Sequence, residues 1–530
     1  MKPLFLSVLP LALGATTFTN PVLWQDYPDV DVFRVNSTYY YSSSTFAYSP
    51  GAPVLTSPDL VNWTPVTHSV PTLNFGPRYN LNGSGSAYVK GIWASTLRYR
   101  ASTDSFIWMG CVESSKTYIW SSPAPRNTSD SNSWKWTSQG TNPACYYDCG
   151  LLIDDDDTLY ISYGNPRISV AQLSRDGTRQ VKTQTVYDPG SGTTFEGSRL
   201  YKINGTYYIF ATRPADAEYV LKSTTNSPFG PYTAKPLVNR ISGPLSSAGF
   251  SHQGGVVDTP DGRWYYVAFM DSYPGGRIPV VAPLKWTSDG WPEVVTDSKG
   301  AWAREYPLPV PNPSIAAGPG PEGTDLFPGP ALGPQWEWNH NPDNSKWKAN
   351  SGLTLQTADV TTDLFAARNT LTQRILGPKS AGTFRIDASK MRDGDRAGAV
   401  LFRDRSAYIG LWKDGSSAKI VLVNNLTLAQ SSWTTSSKGS VAATGPTLTA
   451  TDDVWLRIEA DITPAFGSNT ERTATFSYSS DGKTFTKLGT ASLANSWQYF
   501  TGYRFGVFNH ATKDLGGEIK VKSFTMQLVK

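Results

Sequence analysis

The sequence predicts an all-β protein: a five-bladed β-propeller followed by a lectin-like, jelly-roll β-sandwich. Three observations indicate this architecture. A hairpin motif recurs five times in the first 270 residues, and a proline- and glycine-rich stretch follows the last copy. Alternating strand patterns fill the remainder of the 530-residue chain. Aromatic residues make up 13% of the chain and charged residues 17%, a balance that favours β surfaces over long charged helices.

Each copy of the hairpin motif is a polar turn followed at once by a run of aromatic or β-branched residues. Asn-Gly and Asp-Gly pairs supply the positive φ angles of a tight hairpin turn, and the residues after them suit a pleated, half-buried surface. A spacing of roughly 50 to 70 residues leaves room for one four-stranded blade per copy, which predicts a closed ring of five blades. Unrelated hairpins in a larger β-protein are the alternative. The copies cover residues 36–40, 104–108, 157–161, 204–208 and 261–265.

The N-terminus has the pattern of an export signal. Lys2 provides the positive start, an apolar stretch runs from Leu4 to Leu13, and small residues follow at 14–16. We therefore expect residues 1–19 to be a signal peptide and the product to be secreted and extracellular. A glycoprotein is then expected, since six Asn-x-Ser/Thr sequons occur, at Asn36, Asn62, Asn82, Asn127, Asn204 and Asn425.

Charge and cysteine content limit the partners and the chemistry. The net charge of +4 is spread along the chain without a Lys/Arg cluster, so we expect neither nucleic acid nor an anionic membrane as partner. No run after the leader is long enough to cross a bilayer. Cys111, Cys145 and Cys149 predict one structural disulfide and one spare thiol, with the pairing left open. We expect a monomer.

A change of composition divides the mature chain. The stretch 307–334 contains nine prolines with interspersed glycines, which predicts a stiff, extended linker. Trp336, Trp338 and Trp347 cluster just after it, where we expect them to cover apolar surface of the propeller. The predicted boundaries are 1–19 for the signal peptide, 20–306 for the propeller, 307–334 for the linker and 335–530 for the sandwich.

Acidic residues recur at one position, on the predicted inner strand of a blade, a few residues before the hairpin repeat. Asp29 stands before the first repeat, Asp148 before the third and Glu196 before the fourth. Closure of a propeller would bring these residues together at the mouth of the central channel. Hydrolysis of a glycosidic bond needs such a set: an acid for the leaving oxygen, a carboxylate that activates water or attacks the anomeric carbon, and a neighbour that tunes the acid.

Longer stretches around these acids resemble glycoside hydrolase family 43, in order and over nearly the whole mature chain. In the first domain the matching stretches are 20–23, 27–29, 39–40, 49–53, 57–63, 91–94, 196–197, 200–208, 252–260 and 276–279. The stretches 335–343 and 371–374 look like the sandwich appended to β-xylosidases and arabinofuranosidases of this family, including its fungal secreted members.

The resemblance implies an inverting exo-glycosidase that requires no cofactor for its chemistry. Carried over by position, Asp29 is the general base, Asp148 tunes and orients the acid, and Glu196 is the general acid. Inversion needs the two reacting carboxyl groups about 6.5–9.5 Å apart so that a water fits between them. The family usually has proline after the base and a small residue before the tuning aspartate, where this chain has Val30 and Tyr147.

Further residues of the expected site come from the same resemblance. His252 resembles the family's axial histidine, which binds a central cation or water cluster, so a structural Ca²⁺ in the channel is the candidate metal. Arg277 resembles the residue that grips substrate hydroxyls. Phe46, Trp93 and Tyr147 are candidate walls of the sugar pocket, because aromatic faces stack on sugar C–H groups.

The expected activity is release of terminal α-L-arabinofuranosyl residues from arabinoxylan side chains, a step of hemicellulose degradation. Tyr147 beside the catalytic centre favours this interpretation because a rigid aromatic shapes the site around a branch. The alternative is a β-xylosidase acting on xylooligosaccharides, or an enzyme with both activities. A carbohydrate-binding propeller without catalysis is the non-enzymatic alternative, and the presence of all three acids argues against it.

Overall fold

The computed structural model describes residues 16–83, 85–448 and 453–529, and most of them lie in β-strands or the turns between strands. Residues 1–15 of the predicted signal peptide lie outside this range. In the part of the chain that the structure describes, helix is confined to short 3₁₀ turns, and none is long and apolar enough to cross a membrane. These turns are Pro77–Asn80, Ala101–Thr103, Ser131–Ser133, Asn344–Lys346 and Leu364–Ala366.

The first half of the chain forms five four-stranded antiparallel blades, each built from a continuous stretch of sequence. A strand β1 (Thr17–Thr19) precedes them. The first blade comprises β2 (Asp31–Val35), β3 (Thr38–Ser42), β5 (Gly51–Ser57) and β6 (Thr64–Val70), with β4 (Tyr48–Ser49) leaving it for another sheet. The second comprises β7 (Thr96–Arg100), β8 (Ser105–Val112), β9 (Lys116–Pro123) and β10 (Thr137–Asn142). The third comprises β11 (Gly150–Ile153), β12 (Leu159–Tyr163), β13 (Ile168–Leu173) and β14 (Gln180–Tyr187). The fourth comprises β15 (Glu196–Ile203), β16 (Thr206–Arg213), β17 (Ala217–Ser223) and β18 (Tyr232–Asn239). The fifth comprises β19 (Ser251–Asp258), β20 (Trp264–Asp271), β21 (Arg277–Trp286) and β22 (Pro292–Val294).

The repeated hairpin motif forms the same turn in every blade, the turn between the first and second strands. The five first strands, β2, β7, β11, β15 and β19, contact one another in ring order, and β19 contacts β2 again. The predicted five-bladed propeller is therefore confirmed, with these strands around its axis.

The N-terminal segment closes the ring against the fifth blade. β1 pairs with β23 (Glu305–Pro307), and Phe18 in it is buried. The Asn20 side chain donates to the carbonyl of Val281 and accepts from its N–H, both at 2.9 Å. A signal boundary after residue 19 would cut away β1, so a mature chain that keeps this strand begins no later than Thr17.

The second half of the chain forms a sandwich of two eight-stranded sheets. Its strands are β24 (Gly323–Asp325), β25 (Trp336–Asn339), β26 (Trp347–Ala349), β27 (Leu353–Gln356), β28 (Leu371–Arg374), β29 (Lys379–Asp387), β30 (Asp395–Phe402), β31 (Arg405–Asp414), β32 (Ser417–Leu428), β33 (Thr435–Leu448), β34 (Asp453–Asp461), β35 (Arg472–Ser479), β36 (Thr486–Leu493), β37 (Arg504–Ala511) and β38 (Glu518–Leu528). One sheet has the order β26-β27-β38-β29-β34-β35-β36, with β24 paired to β38, and the other has the order β33-β32-β31-β30-β37-β28-β25-β4.

The two domains share a sheet, because the propeller strand β4 pairs with β25 of the sandwich. Next to this junction Glu337 is fully buried and binds Arg504 at 2.6 Å, Arg374 at 2.8 Å and the propeller's His68 at 3.0 Å. Burial opposes ionisation of Glu337, but the charges of the two arginines outweigh it and hold the pKa of this carboxyl well below its usual range.

The tryptophan cluster after the linker does not cover the propeller. Trp336 packs against Phe327 and Phe524, and Trp338 packs against Trp347, all within the core of the sandwich itself. The prediction for this cluster was wrong because spacing alone does not tell which of two adjacent cores receives an aromatic side chain.

Candidate active site

The three acids predicted from the repeat stand at equivalent places in their blades. Asp29 lies two residues before β2, Asp148 two residues before β11, and Glu196 is the first residue of β15. Asp29 and Asp148 have φ angles of 60° and 51°. This left-handed conformation interrupts the extended chain just where each inner strand begins, and such conformations cluster at functional sites.

A buried arginine fixes the backbone around these acids. Arg199, on β15 and fully buried, donates to the carbonyl of Asp29 at 3.1 Å and to the carbonyl of Cys149 at 2.7 Å. The N–H of Ser198 donates to the carbonyl of Asp148 at 3.0 Å. Blades one, three and four are therefore joined at the start of their inner strands, which sets the acids relative to one another.

The Asp29 carboxylate is held at both oxygens. Ser44 donates to one oxygen at 2.5 Å, and the guanidinium of Arg277 donates to the other at 2.6 Å. Charge-assisted bonds of this kind are short and strong, so they fix the direction of the carboxylate. Arg277 also lies 3.5 Å from Asp271, which places the cation between two acids of the site.

Asp148 and Glu196 hold protons more tightly than free carboxyl groups. Burial raises the pKa of Asp148 well above its ordinary value, and the negative charges of Glu196 and Asp29 add to that rise. Burial also raises the pKa of Glu196, against a lowering effect of the hydrogen bond that Asn165 donates to it. The two groups titrate as a pair that retains one proton to higher pH than either would alone.

A disulfide anchors the segment that carries the second acid. Cys111 on β8 is bonded to Cys145, three residues before Asp148, and Cys149 is a buried free cysteine. This confirms the prediction of one disulfide and one spare thiol. The bridge ties the entry of blade three to blade two, so Tyr147 and Asp148 lie on a constrained loop.

The predicted aromatic walls belong to two pairs of rings near the acids. Trp93 meets Tyr147 edge to face with ring centroids 6.0 Å apart. Phe46 stacks on Phe500 at 5.7 Å, with only 12° between the ring planes. Phe500 belongs to the sandwich, and its ring centroid is 5.2 Å from the guanidinium carbon of Arg277.

The aromatic residues that the sandwich brings to the site could not be predicted from the sequence. Phe500 and the adjacent Trp497, which is 47% exposed and meets Phe500 edge to face at 5.6 Å, lie more than 200 residues from the other site residues. Their positions depend on how the domains dock, which no local pattern encodes. Ser44 and Asn165 were missed for a different reason, since isolated small polar residues in turns are common.

His252 does not have the surroundings of a metal ligand. Its Nδ1 lies 2.9 Å from the carbonyl oxygen of Phe250, its Nε2 lies 3.9 Å from Asp271, and its ring packs against Phe269. Burial lowers the pKa of His252, so the ring is held neutral. Among the described residues no group of three or more His, Cys, Asp or Glu side chains is placed to hold a metal ion. The residues present therefore do not fit the expected central Ca²⁺.

A separate cleft of about 890 Å³ lies between blade one and the proline-rich segment 315–335. None of the eight predicted site residues, all of which are described, lines this cleft. Its lining also contains no cluster of acids like the one at the propeller mouth. We therefore place the chemistry at the acids and not at this cleft.

A five-bladed propeller with three acids at the start of its inner strands, rimmed by aromatic rings, has the architecture of a glycoside hydrolase. The family comparison agrees. Residues 18–292 match the model of glycosyl hydrolases family 43, and residues 324–527 match the β-xylosidase C-terminal concanavalin A-like domain. The chain belongs to glycosyl hydrolases family 43, whose members need no cofactor for hydrolysis.

Relatives extend over nearly the whole chain. A β-xylosidase of Formosa agariphila is 28% identical over 97% of this chain and 90% of its own length. A non-reducing end α-L-arabinofuranosidase of Bacteroides ovatus is 27% identical over 64% of each chain. One solved structure is 63% identical with a TM-score of 0.94, covering 97% of this chain and all of its own; it belongs to a study in which engineering the active site of a family 43 glycoside hydrolase generated an enzyme with endo-xylanase and exo-arabinofuranosidase activity.

Proposed function

We propose that this protein is an inverting exo-α-L-arabinofuranosidase that removes terminal arabinofuranosyl residues from arabinoxylan side chains. The observation that carries the proposal is the position of Tyr147. The charge of Asp148 is the main cause that raises the pKa of the Tyr147 hydroxyl, followed by burial and by the charges of Glu196 and Asp29. Tyr147 therefore lies near all three acids, and we expect its ring to narrow the mouth of the site against an unbranched backbone.

We propose a single-displacement reaction. Glu196, which burial keeps protonated at higher pH, donates its proton to the leaving glycosidic oxygen. Asp29 accepts a proton from a water that attacks the anomeric carbon from the opposite face, so the bond to the leaving oxygen breaks as the bond to water forms. Arg277 and Ser44 keep the Asp29 carboxylate directed while this happens. Asp148 favours the protonated form of Glu196, because the charges of the two carboxylates would repel each other.

The similarity to known proteins supports the arabinofuranosidase proposal and also provides a second candidate. The 63% identical structure comes from a study whose engineered enzyme displays both endo-xylanase and exo-arabinofuranosidase activity, and this identity is far higher than that of the β-xylosidases. A β-xylosidase, or an enzyme with both activities, is the second candidate. It is favoured by the Formosa agariphila relative, which matches over both domains.

Release of sugars from wheat arabinoxylan tests the proposal. We expect arabinose as the main product, and little xylose from unsubstituted xylooligosaccharides. Proton NMR of the first product formed should show β-L-arabinofuranose, the inverted anomer. Xylose as the main product would favour the β-xylosidase candidate, and a first-formed α anomer would contradict inversion.

We also propose that the protein is exported and glycosylated. An arabinoxylan polymer is a substrate outside the cell, and the first residues have the pattern of a leader. All six sequon asparagines are exposed, so each could accept a glycan. Intact mass of the protein recovered from culture medium, before and after enzymatic deglycosylation, tests both statements. A full-length, unmodified mass would contradict them.

A further inference from the structure

The Asp26 side chain lies between a loop of the propeller and a loop of the sandwich. One carboxylate oxygen accepts the N–H of Arg277 at 2.8 Å, and the other accepts the N–H of Gly502 at 2.9 Å. The backbone on either side is tied as well, since the N–H of Tyr27 donates to the carbonyl of Arg277 at 3.1 Å and Arg374 donates to the carbonyl of Asp26 at 2.7 Å. Asp26 is 3% exposed.

The two loops approach so closely that only glycine, whose side chain is a hydrogen atom, fits at the contact. A Cβ built on Gly276 would lie 2.2 Å from the Asp26 carboxylate and 2.6 Å from the nitrogen of Gly502. A Cβ on Gly502 would lie 2.1 Å from the carbonyl oxygen of Gly275. Gly276 also has φ +96°, which favours glycine. The carboxylate of Asp26 is thus seated where two glycines bring the loops together.

Each loop carries a residue of the candidate site. Arg277 follows Gly276 and holds the Asp29 carboxylate at 2.6 Å. Phe500 stands two residues before Gly502, stacks on Phe46 and lies over the same guanidinium. A displacement of either loop would therefore move the guanidinium, the aromatic wall, or both.

We propose that Asp26 is a positioning residue for the hydrolytic reaction, which holds the Arg277 loop and the Phe500 loop in one arrangement so that the sandwich helps to build the sugar site. Each oxygen has one backbone N–H to accept, and only a carboxylate can accept both. Burial raises the pKa of Asp26, while the N–H groups of Arg277 and Gly502 act in the opposite direction because they bind the charged form.

The test compares Asp26→Asn with Asn341→Ala, using an aryl α-L-arabinofuranoside. An amide at position 26 can accept only one of the two N–H groups and turns a donor toward the other, so one loop is released. We expect kcat/KM to fall about 10- to 100-fold, since small misplacements of reacting groups cost that much. Asn341 also bridges the domains, through Ser49 and Leu73, but touches neither loop. Its alanine variant should retain kcat/KM within about threefold.

A double-mutant cycle separates positioning from general loss of structure. If Asp26 acts through the Phe500 loop, Phe500→Ala should cost much less in the Asp26→Asn background than in the wild type. Tyr147→Ala, in the other aromatic pair, should have an independent effect. Full additivity with Phe500→Ala, or wild-type kcat/KM in Asp26→Asn, or an equal loss in Asn341→Ala, would overturn the inference.

The inference rests on the proposed function, and amide hydrogen exchange distinguishes the two. Exchange at the Gly502 amide or at the Arg277 amide should accelerate in Asp26→Asn and at neither in Asn341→Ala, whatever the substrate. A wild-type enzyme inactive on the arabinofuranoside would count against the proposed function alone. Unchanged exchange at both amides would count against the role of Asp26 alone.

Discussion

General acid catalysis at Glu196 depends on a proton that burial retains. We expect Glu196→Gln to lower kcat on arabinoxylan by about 10²- to 10⁴-fold, because general acid catalysis is worth that much. An aryl arabinofuranoside with a good leaving group needs little protonation and should lose much less. Steady-state kinetics on both substrates check this. An equal loss on the two substrates would remove Glu196 from the role of acid.

Asp148 should control the alkaline side of the pH profile. The charge of Glu196 raises the pKa of Asp148, and Coulomb repulsion acts equally in both directions, so we expect the replacement of Asp148 with Asn to remove one charge and lower the pKa of Glu196. The acid is active when protonated, and the alkaline limb of kcat/KM should therefore move to lower pH. Asp258→Asn, a partly exposed carboxylate bound to Arg34, is the control and should leave the limb in place. An unmoved limb in Asp148→Asn would contradict the tuning role.

Substrate choice should depend on the ring of Tyr147. Replacing it with Ala should widen the mouth and raise activity on unsubstituted xylan relative to arabinoxylan. A single hydrophobic contact discriminates by about 1–3 kcal/mol, so we expect a change in that ratio of about 10- to 200-fold. Tyr147→Phe keeps the ring and should keep the ratio. A ratio that is equal in the wild type and the alanine variant would leave the β-xylosidase candidate as the better one.

Residues whose position follows from the repeat could be predicted, and residues brought by docking could not. Asp29, Asp148 and Glu196 were found because each stands about seven to nine residues before a recognisable hairpin turn. Phe500 and Asp26 have no such relation to a turn, and the contacts of Phe500 with Phe46 and of Asp26 with Gly502 join segments more than 450 residues apart. His252 was identified by resemblance alone, and its described surroundings do not fit a metal.

At the scale of the strands, Arg199 links the starts of the inner strands of three blades. It donates to the carbonyls of Asp29, Val30 and Cys149, and it lies 3.6 Å from the buried Asp31. Replacing it with Met leaves these acceptors unsatisfied, so we expect a loss of about 3–5 kcal/mol in the free energy of unfolding. Chemical denaturation measures this quantity.

Arg175→Met is the matched control for this change. Its side chain is 81% exposed and lies 3.8 Å from Asp157. Exposed substitutions of this kind usually change stability by less than about 0.5 kcal/mol. An equally small effect of Arg199→Met would show that the carbonyls find other donors and that the blades do not depend on this residue.

At the scale of the whole molecule, the sandwich should be required for a stable propeller. Truncation after Pro321 removes β25, which pairs with β4, and removes Glu337, which binds His68. It also uncovers Phe46, which Phe500 covers. We expect the truncated chain to be insoluble or much less stable, as seen by thermal denaturation and light scattering. A soluble propeller with full activity would contradict this.

The sheet shared by the two domains also has a consequence for synthesis of the chain. β4 leaves the ribosome early, whereas β25 is made roughly 290 residues later, about 15 to 60 s at usual elongation rates. During that interval the backbone of Tyr48 and Ser49 has no strand partner on this side. The nascent propeller therefore presents an open edge until the sandwich arrives, and a folding helper that covers this edge would raise the yield of the finished enzyme.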